Sequence, residues 1–282
     1  MRQTLRSVVS NEEIMPGTYL MRIEAPDIAG SAQPGQFITV RCGDFILRRP
    51  FSVHQVGGNN VIASEAKQSQ LALLFKIVGK GTLWLSQQQT GDRIDILGPL
   101  GNGFSLPPTK AGKSKHLLLV AGGIGIAPLA LLIQYASSQQ QITLIHGAST
   151  AAHLYPFSSL DSKRKGLWHL PKGVQFIPVT EDGSIGQKAM ATNIIPDFLD
   201  WADQVYACGP IDMCKTMAKM ARQAKRNNLK LTKCQVSLEV RMGCGFGACY
   251  GCTINTRKGL KRICRDGPVF ELGDIIWRNV RI

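Results

Sequence analysis

The sequence predicts an α+β protein of several domains: an N-terminal antiparallel β-barrel, an α/β domain built on a parallel sheet, and a C-terminal cysteine-rich segment. Three observations predict this order. Short apolar segments separated by Gly and Pro fill the first hundred residues, strands then alternate with helical stretches, and four cysteines lie close together within residues 244–264. A chain of 282 residues is long enough for two domains and an appendage. We place the domains at residues 1–108, 115–232 and 233–282.

Six segments of the first domain have the character of short strands, and turn residues separate them. They are residues 18–24, 36–41, 45–47, 52–56, 71–78 and 93–97. Short strands at this spacing are typical of an antiparallel barrel. Residues 57–70 resemble an extended hairpin loop, and residues 107–113 are the clearest linker in the chain.

Beyond the linker, buried-type strands alternate with helical stretches, which predicts a parallel sheet with helices on its faces. The predicted strands are residues 116–121, 141–146, 174–179 and 204–208. The predicted helices are residues 128–136, 189–198 and 211–226.

The net charge of +14 raises the question of a nucleic-acid partner. The basic clusters at residues 163–165, 222–233 and 257–265 do not interleave aromatic residues, so we expect no such partner. The longest apolar runs, residues 117–120 and 129–133, are too short to span a bilayer, so we expect no membrane segment. The N-terminal residues lack the apolar core of a signal peptide, so we expect a cytoplasmic protein. In that compartment, eight cysteines indicate metal or redox use rather than disulfides.

The most informative feature of the chain is the run CGFGACYGC at residues 244–252. Cys244, Cys249, Cys252 and Cys264 have the C-x4-C-x2-C…C spacing that is typical of plant-type [2Fe–2S] binding by four thiolates. Glycines among these cysteines would let the loop wrap closely around a cluster. Structural zinc is the alternative, but it usually uses two C-x2–4-C pairs or histidine, and no histidine lies beyond His169. We therefore expect a chain that moves electrons one at a time.

Basic residues flank this motif, and their charge would offset the negative charge of a thiolate-bound cluster. They could also steer an acidic partner towards it. The residues are Arg241, Lys258, Lys261, Arg262 and Arg265.

Two segments of the barrel carry groups suited to phosphate. In residues 49–52 (RPFS), Pro50 removes a strand N–H and Arg49 offers a fork of donors, although an Arg-Pro pair at a strand edge is often structural. In residues 79–82 (GKGT), a strand meets a helix that Thr82 can cap, and the first N–H groups of that helix can bind an anion. Together the two segments suggest a dinucleotide cofactor.

Three strand-end turns of the second domain are expected to meet at the carboxyl edge of the sheet, where open α/β sheets bind ligands. Residues 121–128 (AGGIGIAP) form a Gly-rich turn before a helix, although tight packing alone could explain these glycines. Residues 180–184 and 208–210 end two further strands. Their convergence suggests a nicotinamide-nucleotide site. Cys208 is either a reactive thiol beside the nicotinamide or a buried small hydrophobe.

Taken in their order along the chain, these motifs resemble those of the ferredoxin reductase-like flavoproteins. The matching motifs are residues 49–52, 79–82, 98–104 (GPLGNGF), 121–125, 208–210 and the cysteine unit. More narrowly, residues 237–252 and 264–270 resemble the electron-transfer subunits of type B dihydroorotate dehydrogenase. The resemblance covers nearly the whole chain.

The resemblance implies FAD on the barrel, NAD on the α/β domain and a [2Fe–2S] cluster facing a catalytic dihydroorotate dehydrogenase subunit that holds FMN. Electrons would pass from that FMN through the cluster and FAD to NAD⁺ in de novo pyrimidine (UMP) biosynthesis, within a heterotetramer of two catalytic and two electron-transfer subunits. By matching, the FAD-binding residues would be Arg49, Pro50, Phe51, Ser52, Leu74, Phe75, Lys76, Gly81 and Thr82. The NAD-binding residues would be Gly122, Gly123, Gly125, Cys208, Gly209 and Pro210.

The chain departs from the family pattern at Lys76, where arginine is usual, and in the longer loop before Leu71. Two alternatives remain open. One is another NAD(P)H-linked flavin and iron–sulfur reductase subunit, of the sulfide dehydrogenase, ferredoxin–NADP reductase or hydrogenase diaphorase type. The other is a basic, zinc-containing binding module.

Overall fold

The computed structural model describes residues 1–57, 69–108, 114–136, 138–157, 168–226 and 233–280. Its N-terminal part is a closed barrel of six antiparallel strands, as predicted. The strands are β1 (Arg2–Met15), β2 (Thr18–Glu24), β3 (Phe37–Arg41), β4 (Arg49–Val56), β5 (Gln70–Lys76) and β6 (Arg93–Leu100). They close in the order β1-β2-β5-β4-β3-β6. Two short helices accompany them, α1 (Pro26–Ala29) and α2 (Lys80–Ser86).

Two parts of the barrel differ from the sequence prediction. The prediction misses β1 because polar residues dominate it, and its extended conformation depends on pairing with β2 and β6. The strand predicted at residues 45–47 is wrong, because these residues form a turn in which Ile46 is 96% exposed. That apolar triplet pairs with no strand of the described chain, since β3 ends before it and β4 begins after it.

The second part is a seven-stranded sheet with helices packed on it, which confirms the predicted α/β domain. Its strands are β7 (His116–Gly122), β8 (Gln141–Ala148), β9 (Val174–Thr180), β10 (Gln187–Lys188) and β11 (Gln204–Cys208), with β12 (Cys234–Ser237) and β15 (Val269–Glu271) from the C-terminal segment. The order is β10-β9-β8-β7-β11-β12-β15, and all pairs except β12–β15 are parallel. The helices are α3 (Ile126–Ala136), α4 (Ala191–Ile194) and α5 (Ile211–Arg226).

The cysteine-rich segment is built into this sheet rather than appended to it. Between β12 and β15 lie the hairpin β13 (Thr253–Thr256) and β14 (Gly259–Arg262) and the short helix α6 (Ile263–Asp266). The sheet therefore continues across the boundary placed between residues 232 and 233. The three domain boundaries remain predictions.

The helix predicted at residues 189–198 is shorter in the structure. It ends at Ile194, and a 3₁₀-helix follows at Ile195–Phe198, because Pro196 clashes with the preceding turn of an α-helix. Most of the loop predicted at residues 57–70, most of the linker, and the basic residues 163–165 and 227–232 lie outside the described residues. No helix in the described part of the chain has the length and apolar character needed to cross a membrane.

Helix α3 is apolar on nearly all sides and packs against both domains. Leu131 is buried with the barrel interior, whereas Leu129 and Leu132 belong to a core shared by the sheet and the outer barrel residues Leu20 and Leu74. A helix of this composition is stable only when it is covered all round. It therefore fixes the α/β domain against the barrel.

Candidate functional site

The four cysteines predicted to bind iron lie in one loop and in the elements that follow it. Cys244 and Cys249 lie in the loop after β12, Cys252 immediately precedes β13, and Cys264 lies in α6. Cys252 and Cys264 are buried, Cys244 is half-buried and Cys249 is exposed. The Cys264 N–H donates to the Cys252 Sγ over 3.4 Å, which links the two buried members.

Backbone N–H groups point at the sulfur atoms of the loop. The Cys244 Sγ accepts hydrogen bonds from the N–H groups of Ala248 (3.2 Å) and Cys249 (3.4 Å). The Cys249 Sγ accepts them from the N–H groups of Cys244 and Gly251, each over 3.4 Å. Such donors stabilise thiolates and tune the potential of a cluster that the thiolates hold.

Two glycines keep the loop close to its surroundings in left-handed conformations. Gly245 has φ 80°, and a β-carbon there would lie 2.7 Å from Cγ2 of Thr39 on β3. Gly247 has φ 96°, and a β-carbon there would lie 2.9 Å from Cδ of Arg265. Any larger residue would strain the backbone and push the loop outwards.

The local donors change the acidity of the thiols. Burial acts to raise the pKa of Cys244, but hydrogen bonds from Cys249, Phe246 and Ala248 outweigh it and bring that pKa to about 6. Burial, followed by the hydrogen bond with Cys252, raises the pKa of Cys264 to about 12. Among the described residues, no three His, Cys, Asp or Glu side chains converge as ligands of a single metal ion. Four thiols in two pairs, with N–H groups directed at sulfur, fit a two-iron cluster.

The loop after β6 attaches the segment around Cys264 to the barrel. The Asn102 N–H donates to the Gly267 carbonyl over 2.6 Å. The Asn102 amide donates to the carbonyls of Arg265 (3.1 Å) and Asp266 (3.2 Å). The glycine loop at residues 98–104, interpreted from the sequence as closing the barrel, thus also holds the cysteine-rich segment in place.

A buried hydroxyl lies between the cysteine loop and β4. Thr39 is 1% exposed and pairs with Pro50, and its Oγ1 has no hydrogen-bond partner among the described residues. An unpaired buried hydroxyl is uncommon in a native protein. Thr39 also lies against Gly245 of the cysteine loop. Its hydroxyl therefore lies between the two predicted cofactor sites, where a bound group could supply the missing hydrogen bond.

The outer face of the cysteine loop combines apolar and cationic side chains. Phe246 is 48% exposed and Tyr250 is 64% exposed. The Arg262 guanidinium lies 4.7 Å from the centre of the Tyr250 ring and donates to the Gly247 carbonyl over 2.7 Å. Lys258, expected to offset cluster charge, instead pairs with Asp274 over 2.7 Å.

In the barrel, the structure brings the two phosphate-suited segments together. A β-carbon on Gly81 would lie 2.9 Å from Nε of Arg49, so the guanidinium lies against the first turn of α2. Thr82 is not the N-cap, since Gly79 precedes α2 and Thr82 is the third helical residue. The Thr82 hydroxyl accepts hydrogen bonds from the N–H groups of Val78 (2.9 Å) and Gly79 (3.2 Å), which fixes the turn.

The remaining predicted FAD residues differ in accessibility. Pro50 and Ser52 are half-buried within β4, and Lys76 is exposed at the end of β5. The side chains of Phe51, Leu74 and Phe75 are buried, and the Phe51 and Phe75 rings meet edge to face at 5.7 Å. Phe51 and Phe75 belong to the barrel core and Leu74 to the core shared with α3, which leaves the backbone groups of all three for any ligand contact.

In the α/β domain, two of the predicted turns touch directly. A β-carbon on Gly122 would lie 2.7 Å from Cδ of Pro210, and one on Gly209 would lie 2.9 Å from N of Gly122. The strands that carry these turns, β7 and β11, are parallel neighbours. Gly123 has φ 51°, so a larger residue there would be strained. The predicted convergence of these two turns is present in the structure.

Cys208 is buried at the end of β11, and burial raises its pKa far above the ordinary value. A protonated, buried thiol is a poor nucleophile. The structure therefore favours the interpretation of Cys208 as a small packing residue over a reactive thiol.

The third predicted turn, after β9, lies at the same edge and bonds to the end of β8. The Ser184 hydroxyl accepts from the Ala151 N–H over 2.7 Å and donates to the Asp182 carboxylate over 2.6 Å. This fixes a carboxylate at the rim of the predicted nucleotide site. That bond and the Ser184 N–H lower the pKa of Asp182.

One residue that contacts the Gly-rich turn could not be recognised from the sequence. His146 on β8 is buried, and its Nε2 lies 3.0 Å from the Gly123 carbonyl oxygen, which supports the Gly-rich turn from below. Its Nδ1 has no hydrogen-bond partner among the described residues. The five histidines of the chain show no common spacing, so only the fold reveals this contact.

Two family models match the chain. Residues 239–276 match the iron–sulfur cluster binding domain of dihydroorotate dehydrogenase B, and residues 119–219 match the oxidoreductase NAD-binding domain. The electron transfer subunit of dihydroorotate dehydrogenase B (NAD⁺) from Desulforamulus reducens is 38% identical over 94% of each chain. The corresponding subunit from Geobacillus thermodenitrificans is 34% identical over 96% of this chain and 97% of its own length.

Solved structures share the fold. The NADH-dependent reduced ferredoxin-NADP oxidoreductase superposes with a TM-score of 0.77 at 26% identity, over 98% of this chain and 91% of that one. A ferredoxin NADP⁺ reductase from Neisseria gonorrhoeae superposes with a TM-score of 0.59 at 18% identity, over 79% of this chain and 92% of that one. The second likeness shows the arrangement of barrel and nucleotide domain alone.

Proposed function

Because the chain belongs to the family of electron-transfer subunits of NAD-dependent dihydroorotate dehydrogenase B, we propose that it carries electrons from a catalytic, FMN-containing subunit to NAD⁺ in de novo pyrimidine biosynthesis. The observation that carries this proposal is the cysteine unit. Its four thiols have the [2Fe–2S] spacing, and backbone N–H groups are directed at the sulfur atoms of Cys244, Cys249 and Cys252.

The proposed cofactors are a [2Fe–2S] cluster, FAD and NAD. The cluster would carry single electrons, nicotinamide takes two together, and FAD supplies the exchange between them. Cys244, Cys249, Cys252 and Cys264 would hold the cluster. Arg49 and the first turn of α2 would hold the phosphates of FAD, because the guanidinium packs against Gly81 in that turn.

The nicotinamide nucleotide would lie at the carboxyl edge of the sheet, against Gly122, Gly123 and Gly125. The turn of Cys208, Gly209 and Pro210 packs beside these glycines, so it shapes the wall of the site. His146 holds the carbonyl of Gly123 inwards, which leaves the outer face of the turn to the nucleotide. The Asp182 carboxylate at the rim would favour NAD over a nucleotide with an additional phosphate.

The catalytic partner would dock on the outer face of the cysteine loop. Exposed Phe246 and Tyr250 offer apolar contact, Arg262 adds positive charge, and exposed Cys249 brings the cluster site to the surface. Two such pairs would form the heterotetramer. We also infer a cytoplasmic location, because none of the eight cysteines forms a disulfide.

Reconstitution with the catalytic subunit tests the proposal. The complex should reduce NAD⁺ with dihydroorotate, whereas the chain alone should oxidise NADH with small dyes. A Cys249→Ala chain should keep most dye reduction and lose the coupled reaction, because electrons could not leave the partner. A coupled rate that is normal in an FAD-replete Cys249→Ala complex would contradict the route.

A second candidate is a subunit of the ferredoxin–NADP reductase type. It is favoured by the likeness to the NADH-dependent reduced ferredoxin-NADP oxidoreductase, which covers 98% of this chain. Ferredoxin-dependent reduction of NADP⁺ without activity towards dihydroorotate would support that candidate. The zinc-containing binding module is tested by a visible spectrum, since zinc is colourless and flavin with iron–sulfur is not.

A further inference from the structure

Strand β4 and helix α3 join the two proposed redox sites. β4 begins with the FAD segment at Arg49, and α3 begins directly after the nicotinamide turn at Gly125. Three side chains form hydrogen bonds across this junction: His54, Gln134 and Tyr155. We call these three residues the interdomain clamp.

His54 bonds at both ends of its ring. Its Nδ1 lies 3.1 Å from the Ala127 carbonyl oxygen, and its Nε2 lies 3.2 Å from the Tyr155 hydroxyl. Burial lowers the pKa of His54 to about 3, so the ring is neutral. Because a carbonyl can only accept, Nδ1 carries the proton, and Nε2 accepts from the Tyr155 hydroxyl. Both hydrogen bonds of His54 therefore form in the same tautomer, the one with the proton on Nδ1.

Gln134 bonds to the main chain of β4 at two points. Its Oε1 accepts from the Val56 N–H over 3.2 Å, and its Nε2 donates to the Val56 carbonyl over 2.7 Å. Ala127 and Gln134 lie seven residues apart on α3, a distance of about 10 Å along the helix. Contacts at two such separated points resist both sliding and rotation of the helix on the strand.

The clamp lies close to both sites in the sequence. His54 follows Ser52 by two residues on β4, at the irregularity in the pairing of β4 with β5 between Val53 and Gln55. Ala127 follows Gly125 by two residues in the first turn of α3. A shift of the strand against the helix would consequently move the FAD segment against the nicotinamide turn.

We propose that the interdomain clamp sets the distance and angle between the flavin and the nicotinamide, and that His54 is a positioning residue for hydride transfer between them. This inference rests on the proposed function. In the transfer NADH loses a hydride and becomes NAD⁺, while the flavin takes up the hydride and one solvent proton. Misplacement of the reacting atoms by about 1 Å can cost about a hundredfold in rate.

The test uses the full-length chain with its cofactors and follows flavin reduction by NADH in a stopped-flow spectrometer. His54→Phe and Gln134→Leu should each slow hydride transfer by about ten- to a hundredfold. The deuterium isotope effect for NADH labelled at C4 should increase, because the chemical step becomes more limiting. FAD content, cluster spectrum and the dissociation constant for NADH should stay within about twofold of wild type.

His116→Phe is the matched control. His116 also bonds a carbonyl through Nδ1 (Trp201, 3.0 Å), but it lies at the opposite end of β7 from the Gly-rich turn. Its replacement should leave hydride transfer unchanged. If His54→Phe does not fold, Tyr155→Phe serves instead, because it keeps the ring and removes only the hydroxyl.

Unchanged hydride transfer in the clamp variants would overturn the inference. A decrease in the rate of hydride transfer that only parallels a loss of FAD would also overturn it. So would an equal decrease in that rate in His116→Phe. A wild-type chain that holds no FAD, or whose FAD is not reduced by NADH, would instead contradict the proposed function.

Discussion

A β-carbon built on Gly125 would lie 2.0 Å from the carbonyl oxygen of Cys208, well inside the contact distance of unbonded atoms. The Gly-rich turn after β7 and the turn after β11 are thus pressed together at the carboxyl edge of the sheet. No side chain fits at Gly125 unless one of the two turns moves.

Gly125→Ala should therefore displace the nicotinamide turn, raise the dissociation constant for NADH and destabilise the domain by about 1–3 kcal/mol. Gly273→Ala is the control, because a β-carbon there meets no atom within 4 Å. NADH titration and thermal unfolding measure the two effects. Normal NADH affinity in Gly125→Ala would show that this turn does not hold the nucleotide.

Replacing any of Cys244, Cys249, Cys252 or Cys264 by Ala should remove the cluster, since each supplies one thiolate. Anaerobically purified wild-type chain should contain about two irons and two acid-labile sulfides, with a rhombic paramagnetic signal on reduction. Cys42→Ala should keep the signal, because Cys42 is buried in the barrel. Stoichiometric zinc without iron would refute the cluster assignment.

Arg49→Ala should lose a charge-assisted phosphate contact of about 1.5–3 kcal/mol and weaken FAD retention by about ten- to a hundredfold. FAD remaining after dilution and ultrafiltration is the measurement. The neighbouring Arg48 provides a control, because its guanidinium pairs with Asp95 within the barrel. Equal FAD retention in wild type and Arg49→Ala would exclude this contact.

The stability of the protein should fall in mild acid, partly through His146. Burial lowers the pKa of His146 from 6.5 to about 4, and the hydrogen bond with Gly123 only partly opposes this. Between these two values the unfolded chain binds the additional proton, so lowering the pH favours unfolding. Between pH 8 and pH 5, the free energy of unfolding should fall by roughly 2 kcal/mol less in His146→Leu than in wild type, as measured by urea unfolding. An identical pH dependence in wild type and variant would contradict the shift.

Local sequence patterns predict those parts of the fold and of the candidate site whose geometry depends only on residues nearby in the sequence. The spacing of Cys244, Cys249 and Cys252 places three thiols in one loop, whatever the rest of the chain does. The run of apolar residues that ends at Cys208 predicts β11 with the bounds that the structure shows. Both signals are local, because turn and strand preferences act within a few residues.

Other features depend on partners far away in the sequence, and no local pattern announces them. β1 is extended because β2 and β6 pair with it, and the isolated apolar residues around Ile46 form a turn because no strand of the described chain lies beside them. Thr82 fits an N-cap by residue type, yet Gly79 takes that place once β5 and α2 are packed.

The sequence by itself determined the spacing of the cysteine unit, from which its ligand set is predicted, the order of the motifs and the alternation of strands and helices. Only the tertiary structure decided that Cys208 is a buried thiol, that Asn102 holds the Cys264 segment, and that His54 and His146 are buried and bonded to the carbonyls of Ala127 and Gly123. The physical reason is that burial and hydrogen-bond partners are properties of the packed chain. A histidine acquires its pKa and its tautomer only when distant residues surround it.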